Sequence, residues 1–313
     1  MAAPQRNRFG RDAAGPGSCP LEVAGVTSAA MFSFDETFRT AWDPIHPRLH
    51  IGTSSFSDES WVGPFYPAGT KSANFLSAYA RRFDTVEIDA TFYRIPTAAQ
   101  ARSWAAKVPT GFKVAAKVPQ VITHEKLLVD CGDDMKEFLG AMEELGEKLG
   151  PLLIQFPYFR PDAFASVGAF LARLEPFLES LPSGRAFALE VRNKAWVGDT
   201  LLAALRRHRV AFTLIDLPWM PMVDGLIRKH DVVTSDFVYA RWLGDRKGIE
   251  MKTDRWDKVI VDRTSEMERW VPALASILER NVDVYGYFNN HYAGHAPGSI
   301  DLLREVWRRK LQS

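Results

Sequence analysis

Eight short β-rich runs alternate with longer helical patterns along this chain from residue 48 onward. Strands that alternate with helices pair in parallel through right-handed crossovers, because a tight hairpin turn cannot join two parallel strands. Eight such units in about 260 residues match a closed (β/α)8 barrel, the TIM-like fold, in both strand count and size. We therefore predict an α/β protein whose residues 48–313 form a TIM-like barrel.

The strand boundaries follow from β-branched and aromatic runs that end in polar or turn-forming residues. The predicted strands are Leu49–Ser54, Thr85–Asp89, Phe112–Val118, Leu152–Phe156, Phe187–Arg192, Ala211–Asp216, Val238–Leu243 and Val284–Asn289. Only the sixth gap, residues 217–236, lacks a clear helical pattern, and Pro218 and Pro221 predict a loop there. An open doubly wound sheet is the alternative fold. It typically carries a GxGxxG loop after the first strand, whereas the first strand here leads into GTSSFSDESW.

The N-terminal region differs in composition from the rest of the chain. Residues 1–30 are rich in Ala, Gly, Pro and Arg and contain one aromatic residue, Phe9. Such a segment cannot bury enough apolar surface to offset its ordering entropy, so we predict a disordered extension. It has no continuous apolar stretch of the kind found in a signal peptide. Residues 31–47 add four aromatic residues and predict a short helical lead-in over the N-terminal side of the barrel.

Charge and cysteine content exclude several classes of partner. Lys plus Arg total 39 against 38 for Asp plus Glu, a net charge of +1, so nothing attracts the whole chain to nucleic acid or to an anionic membrane. No stretch approaches the ~20 apolar residues of a membrane span. The two cysteines, Cys19 and Cys131, make no disulfide framework. We expect a cytoplasmic protein with a small-molecule ligand and no membrane contact, and the oligomeric state stays open.

The functional site of such a barrel is built from the carboxyl ends of the strands and the loops after them. Side chains alternate between the two faces of a strand, so a period of two selects the residues that point into the barrel. The polar residues selected near the strand ends are Glu87, Asp89, Lys113, Lys117, Gln155, Glu190, Arg192, Asp216, Arg241 (or Trp242), Asn289 and Asn290. Parallel strands otherwise consist of near-continuous apolar runs, so these interruptions need a reason.

Two interpretations explain these charged residues. Inward charges are costly unless they are paired, so the group could be a salt-bridge network that fills the top of the core. The other interpretation is an open, solvated site. The substitution Glu190→Gln separates them, because it would leave an open site nearly as stable as before. In a buried network, the same change would leave a buried cation without its ion-pair partner and lower the free energy of unfolding by about 3–5 kcal/mol.

Three of the seven histidines map to the same end of the barrel. His124 follows the third strand, and His291 and His295 follow the eighth. Together with a carboxylate such as Glu190 or Asp216 they could form a metal site, but the chain has no HExxH or comparable motif. Acid–base or anion-binding use of these histidines is the other hypothesis, so the metal and the cofactor both stay unassigned.

Six sequence blocks resemble a known family in their order and spacing: IGTSSFSDESWVGPFYP, VEIDATFYRIP, FKVAAKVPQVITHEKL, LLIQFP, LEVRNKAW and YFNNHYAGHAP. Over residues 50–310 the chain resembles the YecE-like family, domain of unknown function 72. The resemblance implies a TIM-barrel-like fold and carries no settled activity. The chain departs from the family pattern at Ser55, at His291 and in the segment WLGDRKGIE. The positions that match family motifs are Thr53, Glu87, Tyr93, Lys117, His124, Gln155, Glu190, Arg192, Asn289, Asn290 and His295.

The leading hypothesis is an enzyme, a hydrolase or an isomerase, that acts on a small polar metabolite, either sugar-like or phosphorylated. The predicted catalytic residues are the acid–base carboxylates Glu87 and Glu190, Lys117 and the proton shuttle His124. The predicted substrate-binding residues are Thr53, Tyr93, Gln155, Arg192, Asn289, Asn290 and His295. Two alternatives are a ligand-binding or regulatory barrel without catalysis, and a metal-dependent barrel that processes nucleic acid. The balanced charge disfavours the second of these.

Overall fold

The computed structural model describes residues 44–311. The predicted disordered extension and residues 31–43 of the predicted lead-in lie outside the described residues. Residues 44–47 of that lead-in form bends and a turn, not a helix, before the first strand.

Eight parallel strands in the described residues form a barrel with helices around it, which confirms the predicted fold. The strands are β1 (Leu49–Thr53), β2 (Thr85–Ile88), β3 (Lys113–Lys117), β4 (Leu149–Gln155), β5 (Phe187–Glu190), β6 (Ala211–Asp216), β7 (Phe237–Trp242) and β8 (Asp283–Phe288). Hydrogen-bonded neighbours follow the order β1-β8-β7-β6-β5-β4-β3-β2. The strand ends differ from the prediction by at most three residues.

Helices follow the strands, and the longer helices pack on the outer faces of the strands. The α-helices are α1 (Phe75–Tyr79), α2 (Ala90–Tyr93), α3 (Ala98–Lys107), α4 (Gly132–Met142), α5 (Val167–Ser180), α6 (Asp199–Arg207), α7 (Val223–Lys229), α8 (Arg246–Glu250), α9 (Thr264–Leu278) and α10 (Ala296–Leu311). The 3-10 segments are Glu59–Trp61, Ser72–Asn74, Glu143–Lys148, Lys194–Trp196 and Asn290–Tyr292, and Val121–Glu125 is a π-helix. None of the helices between residues 44 and 311 is long and apolar enough to cross a membrane.

Helix α7 corrects the prediction for the sixth gap. Both prolines, Pro218 and Pro221, precede this seven-residue helix and do not interrupt it. The prolines therefore mark only the loop between β6 and α7. The start of helix α3 follows its local sequence. Helix α3 begins at a capping box, in which Thr97 Oγ1 accepts from the Gln100 N–H and the Gln100 side chain accepts from the Thr97 N–H.

A tyrosine completes the seam between β1 and β2, where the described residues form no strand ladder. The Thr53 N–H donates to Tyr79 Oη at 2.8 Å, and the Tyr79 hydroxyl donates to the Thr85 carbonyl at 3.1 Å. The side chain thus bridges the two backbones in place of a direct bond. The strands can come this close because residue 52 is glycine: a Cβ there would lie 2.1 Å from the Thr85 oxygen.

Two apolar layers result from the alternation along the strands. The larger layer lies between the outer faces of the strands and the helices. The smaller one fills the barrel interior and consists of Ala115, Leu153, Ala188, Ala211, Phe237, Tyr239 and Tyr287, with Tyr285 packed against them. Residues 237 and 239 of β7 belong to this inner layer, so residue 241, in phase with them, also faces inward. The interior is therefore apolar below and becomes charged toward the strand carboxyl ends.

Candidate functional site

Arg241 of β7 joins two carboxylates at the top of the barrel interior. Its Nη2 donates to Glu87 Oε1 of β2 and its Nη1 to Glu190 Oε2 of β5, both at 2.7 Å. Arg241 is 2% exposed and both glutamates are 0% exposed. Since the two Nη atoms of a guanidinium are only about 2.3 Å apart, the two carboxylate oxygens lie no more than about 8 Å apart. Arg241, Glu87 and Glu190 thus form a buried salt-bridge network, the first of the two interpretations of the inward charges.

Tyr239 adds a fourth member to this network. Its hydroxyl donates to Glu87 Oε2 at 2.6 Å, so that both oxygens of Glu87 accept a hydrogen bond. Burial, followed by the charge of Glu87, raises the pKa of Tyr239 well above its ordinary value, so the phenol stays protonated and keeps donating. Arg241 Nε is buried without a hydrogen-bond partner among the described residues. Buried donors of this kind are usually paired with a water or a ligand.

Glu190 is locked in its ionised form. Burial alone would raise its pKa, but Arg241, Arg192 and Lys117 outweigh burial and lower it to about 2. A carboxyl group with this pKa is deprotonated near neutral pH and cannot act as the general acid that the sequence suggested. Its other oxygen, Oε1, accepts from Arg192 Nε at 3.0 Å. Glu190 therefore connects the buried Arg241 to Arg192, whose side chain is 29% exposed.

Lys117, at the end of β3, contributes a second cation, whose side chain is 8% exposed. Its ammonium group lies 2.8 Å from Asp89 Oδ1 and 4.4 Å from the centroid of the Phe92 ring. Asp89 directly follows β2, so the ion pair joins the ends of two neighbouring strands. An ammonium ion over an aromatic face is stabilised by the ring quadrupole. The lysine side chain is thus held from two sides at the barrel mouth.

His124 lies in the π-helix Val121–Glu125 and stays neutral. Burial first, and then the positive charges of Lys117 and Arg192, lower its pKa from 6.5 to about 4, while Glu190 opposes the shift. Its Nδ1 lies 2.8 Å from Thr123 Oγ1, and its ring packs edge-on against Phe92. Its Nε2 has no hydrogen bond to any residue from 44 to 311. The half-buried imidazole therefore keeps one unpaired nitrogen close to two cations.

Five of the predicted site residues thus belong to one charged region at the strand carboxyl ends. They are Glu87, Lys117, His124, Glu190 and Arg192. The electrostatic influence of Lys117 and Arg192 on His124 requires all three to lie near each other. This arrangement also explains why β2, β3 and β5 carry charges where barrel strands are usually apolar.

Three other predicted substrate-binding residues differ in exposure. Thr53 has no exposed surface and its hydroxyl donates to the Ser55 carbonyl at 2.5 Å, so the structure gives it a role in shaping the first loop. Gln155 is likewise buried, and its Nε2 donates to the Phe156 carbonyl. Tyr93 is 67% exposed beside Phe92 and could contact a ligand directly. Among these three, only Tyr93 stays a candidate for direct contact.

The polar side chains of the loop after β8 hydrogen-bond within the loop and to the segments that follow β1 and β7. Asn290 donates to Asp58 Oδ2 and accepts from the backbone N–H of Ala296, and His295 Nδ1 lies 2.7 Å from the Trp256 carbonyl. Asn289 Oδ1 accepts from the backbone N–H of residue 291. In the described residues, the side-chain oxygen of Asn289 is hydrogen-bonded to the backbone and the ring of residue 291. Substrate binding by Asn289, Asn290 and His295 therefore stays a prediction without a supporting contact.

Asp216 corrects the prediction that the end of β6 faces the mouth. Its Oδ2 accepts from Trp270 Nε1 at 2.7 Å and from the Tyr292 hydroxyl at 3.3 Å, and Trp270 belongs to the outer helix α9. Residues 211 and 213 share the inward phase of β6, so residue 216 falls on the outer face. The described residues contain no group of three His, Cys, Asp or Glu side chains that could hold a metal ion.

Tyr239 is not among the residues that the sequence predicts for the site, and the sequence leaves open whether Arg241 or Trp242 of β7 faces inward. The alternation of side chains along β7 distinguishes the two residues. Phe237, Tyr239 and Arg241 face the barrel interior, whereas Trp242 faces the helices and stacks on Phe288 in the outer layer. The choice depended on the register of β7 with its neighbours, which pairs Ile215 with Arg241 and Arg241 with Tyr287.

A protein-family model described as "Protein of unknown function DUF72" matches residues 50–313. The chain is 26% identical over 276 residues to UPF0759 protein YunF of Bacillus subtilis, which covers 82% of this chain and 94% of that protein. It is 32% identical over 174 residues to UPF0759 protein YecE of Escherichia coli K12, which covers 54% of this chain and 59% of that protein.

Solved structures from the same family share the barrel. A DUF72 family protein of Thermotoga maritima superposes with a TM-score of 0.65 at 29% identity, covering 85% of this chain and 99% of that one. A DUF72 family protein of Enterococcus faecalis gives a TM-score of 0.62 at 22% identity, covering 83% and 95%. The second similarity supports the fold alone.

Proposed function

This chain belongs to the family of proteins of unknown function DUF72, and we propose that it is an enzyme that acts on a small anionic metabolite at the barrel mouth. The metabolite would bind through a phosphate or carboxylate group. The single observation that carries the proposal is the neutral His124 beside two cations, Lys117 and Arg192. That combination can both attract an anion and accept a proton.

The two cations are suited to hold an anionic group. Arg192 donates a hydrogen bond from Nε to Glu190. The other N–H donors of its planar guanidinium can bind a phosphate or a carboxylate in a bidentate manner. Lys117 provides a more compact positive charge, fixed by Asp89 and Phe92. Burial is the main cause of the low pKa of His124, and an anion between Lys117 and Arg192 would offset the positive charges that lower it further. Ligand binding would therefore make His124 a stronger base at the moment it is needed.

The roles of the carboxylates change accordingly. Glu87 already accepts two hydrogen bonds, and the low pKa of Glu190 removes it as a proton donor. We assign them to positioning: Glu190 orients Arg192, and both hold Arg241. His124 is then the group for proton transfer, as a general base in an isomerisation or a hydrolysis. Arg241 Nε offers one further buried donor beneath the anion.

A ligand-binding barrel without catalysis is the second candidate, because two of the four predicted catalytic groups are fully engaged in ion pairs. One experiment separates the two functions. A panel of phosphorylated and carboxylated metabolites is tested for thermal stabilisation of the protein, and each stabilising compound is then incubated with the protein and analysed for conversion by chromatography.

Two variants and one control complete this experiment. Arg192→Gln should weaken binding at least about tenfold, since a charge-assisted hydrogen bond contributes about 1.5–3 kcal/mol. Arg185→Gln is the matched control, because Arg185 also forms a 3.0 Å ion pair but precedes β5, at the opposite end of the barrel. His124→Gln should keep binding and lose conversion. Equal affinities in the two arginine variants would refute the anion site, and binding without conversion by the wild type would favour the non-catalytic barrel.

A further inference from the structure

The segment after β7 and the turn after β8 contact each other above the barrel mouth, outside the charged region. The segment WLGDRKGIE forms the end of β7 and the short helix α8, and His291 lies in the turn after β8. Gly244, which connects β7 to α8, has a φ of +67°, and a Cβ at this position would lie 2.6 Å from the His291 carbonyl oxygen. Only glycine permits both the backbone conformation and the close approach. The position of α8 is therefore set by its contact with the turn after β8.

A shared oxygen joins the side chains of these two elements. Glu250 Oε1 accepts from Arg246 Nε at 2.8 Å and lies 3.0 Å from His291 Nε2. The two Nη groups of Arg246 make no hydrogen bond to any residue between 44 and 311, and the side chain is 74% exposed. Arg246 is therefore held through one nitrogen and keeps its remaining donors for another partner.

Arg246 follows β7 and Lys117 ends β3, so both lie at the end of the barrel where the carboxyl ends of the strands meet. Glu250 is the main cause that raises the pKa of Arg246, and the negative charge of Asp89, which follows β2, adds to it. Asp89 is also the ion-pair partner of Lys117. Since such effects fall off with distance, helix α8 brings Arg246 from β7 toward the loop after β2. The mouth then carries a third cation beside Lys117 and Arg192.

We propose that Arg246 binds a second anionic group of the ligand, next to the group held by Lys117 and Arg192, and that Glu250 and His291 hold Arg246 in place until the ligand arrives. This inference rests on the proposed function and narrows the substrate to compounds with two separate anionic groups, such as a diphosphate or a phosphorylated acid. Arg246 is then a specificity-determining residue.

The contacts of His291 give this proposal a second, independent consequence. Its Nδ1 lies 2.5 Å from Asn289 Oδ1, which already accepts the backbone N–H of residue 291, and its Nε2 faces Glu250. Both ring nitrogens thus face acceptors, and only the imidazolium form can donate to both. The charged groups that face the ring are Glu250 and Arg246, both from α8, while the Trp256 ring packs against it without a charge.

Ligand binding should therefore be coupled to proton uptake. Burial and the charge of Arg246 lower the pKa of His291, whereas Glu250 raises it. When Arg246 turns to the ligand, Glu250 keeps its negative charge and loses one cation. His291 then takes a proton from solvent and becomes the remaining partner of Glu250.

The test uses inorganic phosphate and inorganic tripolyphosphate as probes in isothermal titration calorimetry. Arg246→Gln should weaken tripolyphosphate binding at least about fivefold and leave phosphate binding within about twofold. The control is Arg228→Gln, because Arg228 and Asp224 form a similar i,i+4 ion pair in α7, and it should change neither affinity. Repeating the titration in buffers with different ionisation enthalpies measures proton uptake, which should be larger in the wild type than in His291→Gln.

The outcomes separate this inference from the proposed function. If the wild type binds neither probe, the anion site itself is wrong, and this inference fails with it. If both probes bind and Arg192→Gln weakens them, but Arg246→Gln binds tripolyphosphate like the wild type, the anion site stands and the second subsite is refuted. Equal proton uptake in the wild type and in His291→Gln would refute the role of His291.

Discussion

The substitution Glu190→Gln tests whether the charged residues beneath the mouth stabilise the fold. Glu190 is fully buried and accepts from both Arg241 and Arg192. A pKa lowered from 4.5 to about 2 means that folding favours the ionised form of Glu190 over the neutral form by about 3 kcal/mol more than the unfolded chain does. Glutamine resembles the neutral form, so the variant should lose about 3 kcal/mol. Breaking a buried ion pair typically has a cost of this size.

Thermal unfolding followed by circular dichroism measures this loss. At about 2–4 °C per kcal/mol for a domain of this size, the melting temperature should fall by about 6–12 °C. Glu143→Gln is the control, because Glu143 forms an exposed ion pair with Arg185 on the helix side. Exposed pairs contribute about 0–1 kcal/mol, so the control should melt within about 2 °C of the wild type.

Acidification gives an independent check of the same reasoning. A carboxyl group whose pKa is lowered on folding contributes stability that is complete above about pH 4.5 and is lost as the pH falls toward 2. The difference between the wild type and Glu190→Gln should therefore shrink as the pH falls from 5 to 3. If the variant melts within 2 °C of the wild type at pH 7, or the difference does not depend on pH, the buried-network argument is wrong.

Two further predictions concern the seam and the histidine. Tyr79→Phe leaves the Thr53 N–H and the Thr85 carbonyl without their bridging hydroxyl, so we expect a loss of about 1–3 kcal/mol and faster hydrogen exchange at the Thr53 amide; unchanged exchange there would contradict the bridge. The pKa of His124 is about 4 in the folded protein and 6.5 in an unfolded chain. Its contribution to stability is therefore complete above pH 6.5 and declines toward pH 4. Relative to the wild type, His124→Gln should therefore gain melting temperature on acidification, and an NMR titration of His124 with a midpoint near 6.5 would refute this.

The sequence alone determined the barrel and the end of it where charges gather. Both follow from periodicity, which is local: eight strand–helix units repeat along the chain, and alternation within each strand predicts the inward positions of Glu87, Lys117 and Glu190. The helix of the sixth gap was missed, because seven residues after Pro221 give too few turns for a helical period to stand out. Such signals identify faces, and they carry no information about partners far away in the chain.

Only the tertiary structure decided how the charges pair, because pairing depends on how eight strands are staggered around the barrel. Stagger places Arg241 between two glutamates that are 103 residues apart in the chain, and so gives both of them a buried ion-pair partner. Burial and the neighbouring cations then make His124 the neutral group. The contact between α8 and the turn after β8 likewise exists only in three dimensions, and it brings Arg246 to the mouth.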